Sequence, residues 1–134
     1  MTKSTIEGWV LSGPKLILRL EGLVLFAATI SIFASSGMAW WWYPVLLLVP
    51  DIFMLGYFAN PKLGAWLYNL GHSTIVPILL IGLGWFSSAP TLLGLSAIWL
   101  GHVGWDRAFG YGLKYNDRFK HTHLGDLEKK QKNN

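Results

Sequence analysis

The sequence predicts an all-α membrane protein, an up-down bundle of four transmembrane helices with both termini in the cytoplasm. Three observations predict it. Only 13% of the 134 residues are charged, about half the share of a soluble domain, while 52% are hydrophobic. No Asp, Glu, Lys or Arg occurs between Gly22 and Pro50, or between Leu63 and Trp105. All 11 Lys and Arg fall on one side of a four-span arrangement. A soluble chain of this length has too little interior to hide such apolar runs. A spanning helix needs only about 20 mainly apolar residues. These features exclude a soluble globular enzyme and a disordered chain, and the lack of Cys excludes a disulfide scaffold.

Residues 1–15 read as a cytoplasmic segment, residues 16–111 as the transmembrane domain and residues 112–134 as a cytoplasmic tail. The spacing predicts spans over residues 16–35, 41–59, 63–86 and 91–111. Stop signals separate them: Ser35-Ser36-Gly37, then Asn60-Pro61, then Ser87-Ser88-Ala89-Pro90. Short joints make neighbours antiparallel. The first span resembles a signal peptide with Ala34-Ser35-Ser36 as its cleavage site, but Glu21 interrupts the apolar region.

Orientation follows from the basic residues. The loops around Gly37 and Ser88 carry none, so the positive-inside rule places both termini in the cytoplasm. Trp40, Trp41, Trp42 and Tyr43 form an aromatic belt at the outer interface, as do Trp85 and Phe86. The net charge of +4 reads as topology and attraction to anionic lipid. The partner is membrane lipid; with no binding motif beside the basic residues, nucleic acid is excluded.

Ionisable residues within spans are costly and need partners. Asp51, His72 and His102 each lie eight or nine residues from a cytoplasmic helix end, roughly 12 Å deep at 1.5 Å per residue. Glu21 and Asp106 lie in a second layer, roughly 8 Å deep. His102 and Asp106 share a stripe with Leu95 and Trp99 above them, and Ala65, Tyr68, Asn69 and His72 share a face. Each helix thus offers a polar group at similar depth. Gly94, Ala97, Gly101, Gly104 and Ala108 form a small-residue stripe for close packing within the bundle. Arg19 and Arg107 read as snorkelling side chains, with Arg107 alternatively binding a phosphate headgroup or an anionic substrate. His121 and His123 lie on a segment that could fold over the cytoplasmic mouth.

Two kinds of reading stay open. Asp51, His72, His102 and Asp106 could ligate a divalent metal ion, with Glu21, Asp51 and Asp106 as catalytic carboxylates and Asn69, Arg107 and His123 as neighbours. Such a metal-dependent enzyme would act on an amphiphilic substrate from the inner leaflet. Alternatively, the same residues form a structural polar knot, a bis-histidine haem site through His72 and His102, or a proton or cation relay. A relay would need a homo-oligomer, because one bundle has little room for a pore.

The motifs Leu18-Arg19-Leu20-Glu21-Gly22, Pro50-Asp51, Tyr68-Asn69 with His72, and Gly101-His102-Val103-Gly104-Trp105-Asp106-Arg107 continue into Gly110-Tyr111-Gly112-Leu113-Lys114-Tyr115. Together they resemble a family of small bacterial four-helix membrane proteins catalogued as a domain of unknown function. The resemblance covers roughly residues 17–125 and implies a bacterial inner-membrane location. It implies no activity, substrate or cofactor.

Overall fold

The computed structural model describes residues 12–111, 121–122 and 125–126. The chain is helical: α1 (Ser12–Ser35), α2 (Trp42–Leu46), a 3-10 helix (Val49–Phe58), α3 (Pro61–His72), α4 (Ile75–Phe86) and α5 (Pro90–Ala108). His121–Thr122 pairs antiparallel with Gly125–Asp126, His121 opposite Asp126.

Two expected spans are not single α-helices, and proline explains both interruptions. Proline has no N–H to give the carbonyl four residues back, and its ring clashes with that carbonyl. Pro50 therefore ends α2 at Leu46, and the chain rewinds as a ten-residue 3-10 helix. That winding rises about 2.0 Å per residue, against 1.5 Å for an α-helix, so the second segment reaches farther than its length suggests. Pro77 likewise breaks the third segment at Ser73, whose hydroxyl accepts from the Ile75 N–H at 3.2 Å. The second segment ends at Phe58, just before the expected stop at Asn60-Pro61, and Asn60 also starts α3: its side chain accepts from the Leu63 N–H at 2.7 Å. At the end of α5, Gly110 takes φ +85°, with Gly110 N–H bonded to Arg107 O and Tyr111 N–H to Asp106 O. This glycine C-cap satisfies carbonyls that the helix leaves open.

α5 is the central helix, packed against α1 on one side and α4 on another, with the 3-10 helix touching it more lightly. α1 turns Gly22, Phe26, Thr29, Phe33 and Ser36 to α5, at spacings of four and three. The two helices run antiparallel and meet nearly backbone to backbone. A Cβ on Gly104 would lie 2.7 Å from Gly22 O, and one on Gly22 would lie 2.8 Å from Gly104 O. The expected small-residue stripe is therefore the α1 contact. Thr29 and Tyr43 close over Gly101; Thr29 donates to Phe26 O at 2.7 Å, so the Tyr43 hydroxyl donates to Thr29 at 2.8 Å.

The 3-10 helix packs on α3 by a different device. The Tyr57 ring sits on Gly64 and the Phe53 ring on Gly71, where no Cβ is in the way.

The interior mixes apolar side chains such as Phe33, Ile98, Leu100 and Val103 with the polar groups of Thr29, Ser36, Ser96, His72 and His102, while many other large apolar side chains face outward. Phe58 and Phe86 are each 90% exposed. Gly13–Ser35 and Pro61–Phe86 are long and apolar enough to cross a membrane, and Trp42–Phe58 is a shorter apolar stretch. α5 is enclosed by protein over much of its length, so it has no need of a wholly apolar surface.

Candidate metal centre

Three elements build the site. α3 places His72 at its last residue, just before the proline-induced break. α5 supplies His102 and Asp106 one turn apart. The 3-10 helix supplies Asp51 from its first turn. One ligand atom from each of these four residues lies within 4.8 Å of every other. The Nε2 atoms of His72 and His102 are 2.9 Å apart. Oδ1 of Asp51 lies 3.3 Å from His72 Nε2 and 3.2 Å from His102 Nε2. Oδ2 of Asp106 lies at the same two distances, 3.3 and 3.2 Å.

Burial is graded. The side chains of His102 and His72 are 1% and 4% exposed, Asp106 17% and Asp51 38%. Asp51 is thus the accessible member.

The donor set can be read atom by atom. His72 Nδ1 lies 2.9 Å from the carbonyl of Tyr68. A carbonyl only accepts, so this nitrogen carries the hydrogen and a neutral ring turns an Nε2 lone pair into the cluster. The Tyr68 ring stacks on the His72 ring, centroids 3.8 Å apart, and fixes its plane. His102 Nδ1 is buried with no hydrogen-bond partner among the described residues. Two carboxylate oxygens and two imidazole nitrogens therefore crowd one point. A tetrahedral metal with bonds of about 2.0–2.1 Å sets its ligand atoms about 3.3–3.4 Å apart. The four nitrogen–oxygen separations match that edge, whereas the two nitrogens, 2.9 Å apart, are closer than it, and the cluster as a whole extends to 4.8 Å.

The haem expectation does not fit. Two axial imidazoles on opposite faces of a macrocycle stand about 4 Å apart, twice a metal–nitrogen bond of about 2 Å. At 2.9 Å, the two Nε2 atoms leave no room for a ring between them.

The other expected site residues fare differently. Glu21 is exposed and stands outside the cluster, a correction with a simple cause. Gly22 takes the α5 contact, and the adjacent residue points about 100° away around the helix. α1 thus contributes no ligand atom to the cluster. Asn69 is half-buried on α3, three residues before His72. Arg107 is half-buried and reaches the carbonyl of His72 at 3.5 Å, a long contact that places a cation at the C-terminus of α3. Arg19 is held too, its Nε donating to Ala108 O at 2.9 Å. Both replace free snorkelling. His123 lies outside the described residues.

Two residues that the sequence placed on a histidine's face without giving them a role, Tyr68 and Trp99, support the site, and Phe53 joins them. Tyr68 orients His72 through its ring and its carbonyl. Trp99 donates from Nε1 to Gly71 O at 2.6 Å and stacks on Phe53, centroids 6.2 Å apart. Tyr68 precedes His72 by one turn and Trp99 precedes His102 by three residues, a spacing that already put each on its histidine's face.

The fold and site define a helical protein with two stretches able to cross a membrane and a buried Asp/His/His/Asp group able to hold a metal ion. A profile for a domain of unknown function, DUF4260, matches residues 15–127, and the chain belongs to that family. No curated protein and no solved structure matches it.

Proposed function

We propose that the chain is a four-span protein of the bacterial inner membrane whose Asp51, His72, His102 and Asp106 hold one divalent metal ion for a hydrolytic reaction on an amphiphile. The observation that carries this reading is the convergence of four donor atoms within 4.8 Å, with the His72 lone pair turned inward. Two carboxylates and two neutral imidazoles carry two negative charges, which a divalent cation cancels. That balance matters where a lone carboxylate costs about 2.5–3.5 kcal/mol on insertion scales. A bound ion would polarise a substrate oxygen or lower the pKa of water. His72 and His102, the most buried of the four, would hold it from the dry side; Asp51, the most exposed, would be the ligand nearest an incoming substrate, with Asp106 beside His102. Glu21 has no part in this reading.

The test is elemental analysis with an optical spectrum of protein purified without chelators. One first-row divalent ion per chain is the expected result, with zinc favoured because it takes His nitrogen and carboxylate oxygen ligands. Metal-free protein that is folded, and stays metal-free when zinc is supplied, overturns the centre and leaves a structural polar knot.

The topology has its own test. The protein has no Cys, so single cysteines report cleanly. In intact cells, Ser88→Cys is expected to react with an impermeant thiol reagent, while Lys3→Cys and Lys129→Cys stay protected. The reverse pattern overturns the cytoplasmic assignment of both termini.

A further inference from the structure

A groove of about 340 Å³ runs between the 3-10 helix and α5, walled by Val49, Ile52, Phe53, Leu95, Ile98 and Trp99. Its size falls in the range of small-molecule sites. We infer that this groove binds the single apolar chain of an oxyanion-headed amphiphile and delivers its head to the Asp51 side of the metal centre. The inference rests on the function proposed above.

Four observations support it. The groove has an entirely apolar lining, so it suits a hydrocarbon chain. Its lining includes Pro50 and Ile52, the residues on either side of Asp51, and Asp51 is the most exposed of the four ligands. Its α5 wall lies three to seven residues before His102, so with cytoplasmic termini the groove extends from the centre toward the bilayer midplane. An inner-leaflet amphiphile has that same order, head toward the cytoplasm and chain toward the midplane. Charge selects the head. With neutral imidazoles the carboxylates balance a divalent ion, and Arg107 at the end of α3 leaves one positive charge beside them. An oxyanion such as a phosphate ester complements that charge.

Trp99 and Phe53 tie the groove wall to α3: their rings stack, and Trp99 bonds to the carbonyl of Gly71, the residue before His72.

The experiment uses the full chain in detergent with a dodecyl phosphate carrying a diazirine near the chain end. Saturable labelling within residues 46–53 and 95–99 is expected, at least tenfold weaker in Leu95→Trp. Leu95 and Val49 are 43% and 53% exposed on the groove rim, so an indole at either position fills the groove without burying a misfit. Val49→Trp serves as the second variant and should lose labelling equally. Dodecanol carrying the same diazirine isolates the head, and at least tenfold weaker labelling is expected from it. Inorganic phosphate competing away the label while the chain is irrelevant would overturn the groove. So would unsaturable labelling spread over the outward faces of α1 and α4, unchanged in both variants. Metal content measured on the same samples judges the centre separately. A groove that labels saturably in protein that stays metal-free when zinc is supplied sinks the centre alone, and unsaturable labelling of metal-loaded protein sinks the groove alone.

Discussion

Substitution of His72 by Ala is expected to abolish metal binding and with it the largest single increment of stability. A ligand held at 1,000 times its Kd stabilises the folded chain by about 4 kcal/mol, and that difference disappears when the site cannot hold it. The check is thermal unfolding in detergent, with and without added zinc. Wild type should gain a large shift in Tm from the metal and His72→Ala none. His72 is the strongest test because its Nδ1 bond to the Tyr68 carbonyl and the Tyr68 ring together fix its orientation. Outer partners of this kind are worth about 10- to 100-fold in metal affinity. His102 lacks such a partner among the described residues, so His102→Ala should cost less affinity than His72→Ala. Asp51→Asn should retain the most binding of the four, because Asp51 is the most exposed ligand. A structural knot gives another pattern: each substitution lowers Tm by the same amount with or without zinc.

Gly104→Val is expected to destabilise the bundle by about 3 kcal/mol, the upper end of the overpacking range. Its Cβ would meet Gly22 O at 2.7 Å and Phe26 N at 2.8 Å, both backbone atoms that cannot swing aside. The helices would have to separate, and His102 and Asp106 ride on the helix that moves. Metal affinity should therefore fall along with Tm. Gly82→Ala is the control, since nothing lies within 4 Å of a Cβ there. It should leave Tm unchanged or slightly raised, because Ala favours a helix over Gly. Equal losses from the two variants would show that the α1–α5 crossing is not the close contact described.

Much of the site was legible before folding. The matched places of Asp51, His72 and His102 along apolar runs pointed to one cluster, and the one-turn spacing of His102 and Asp106 follows from helix geometry. The stripe of Gly94, Ala97, Gly101 and Gly104 announced a close contact, since small residues let helix backbones approach. The second glycine device was overlooked. Gly64 and Gly71 are seven residues apart on α3, a spacing that marks one face, and Tyr57 and Phe53 fill it. The helix breaks were also within reach, because Pro50 and Pro77 each dictate an interruption four residues upstream. Treating both spans as continuous gave hydropathy priority over backbone chemistry.

Glu21 shows where such reasoning stops. Its place along the chain matched that of Asp106, and its charge gave the same expectation of a partner. Periodicity reports which residues share a face; it does not report which face meets which neighbour. That choice was made by Gly22, whose missing side chain lets α1 lie against Gly104 and rotates Glu21 outward. Composition and spacing alone determined a helical chain with apolar runs and the polar residues set within them. Tertiary structure alone decided that Asp51, His72, His102 and Asp106 meet and that Glu21 does not. Apolar burial and helix period are local along the chain, whereas the rotation of each helix is set by backbone contacts with a partner distant in sequence.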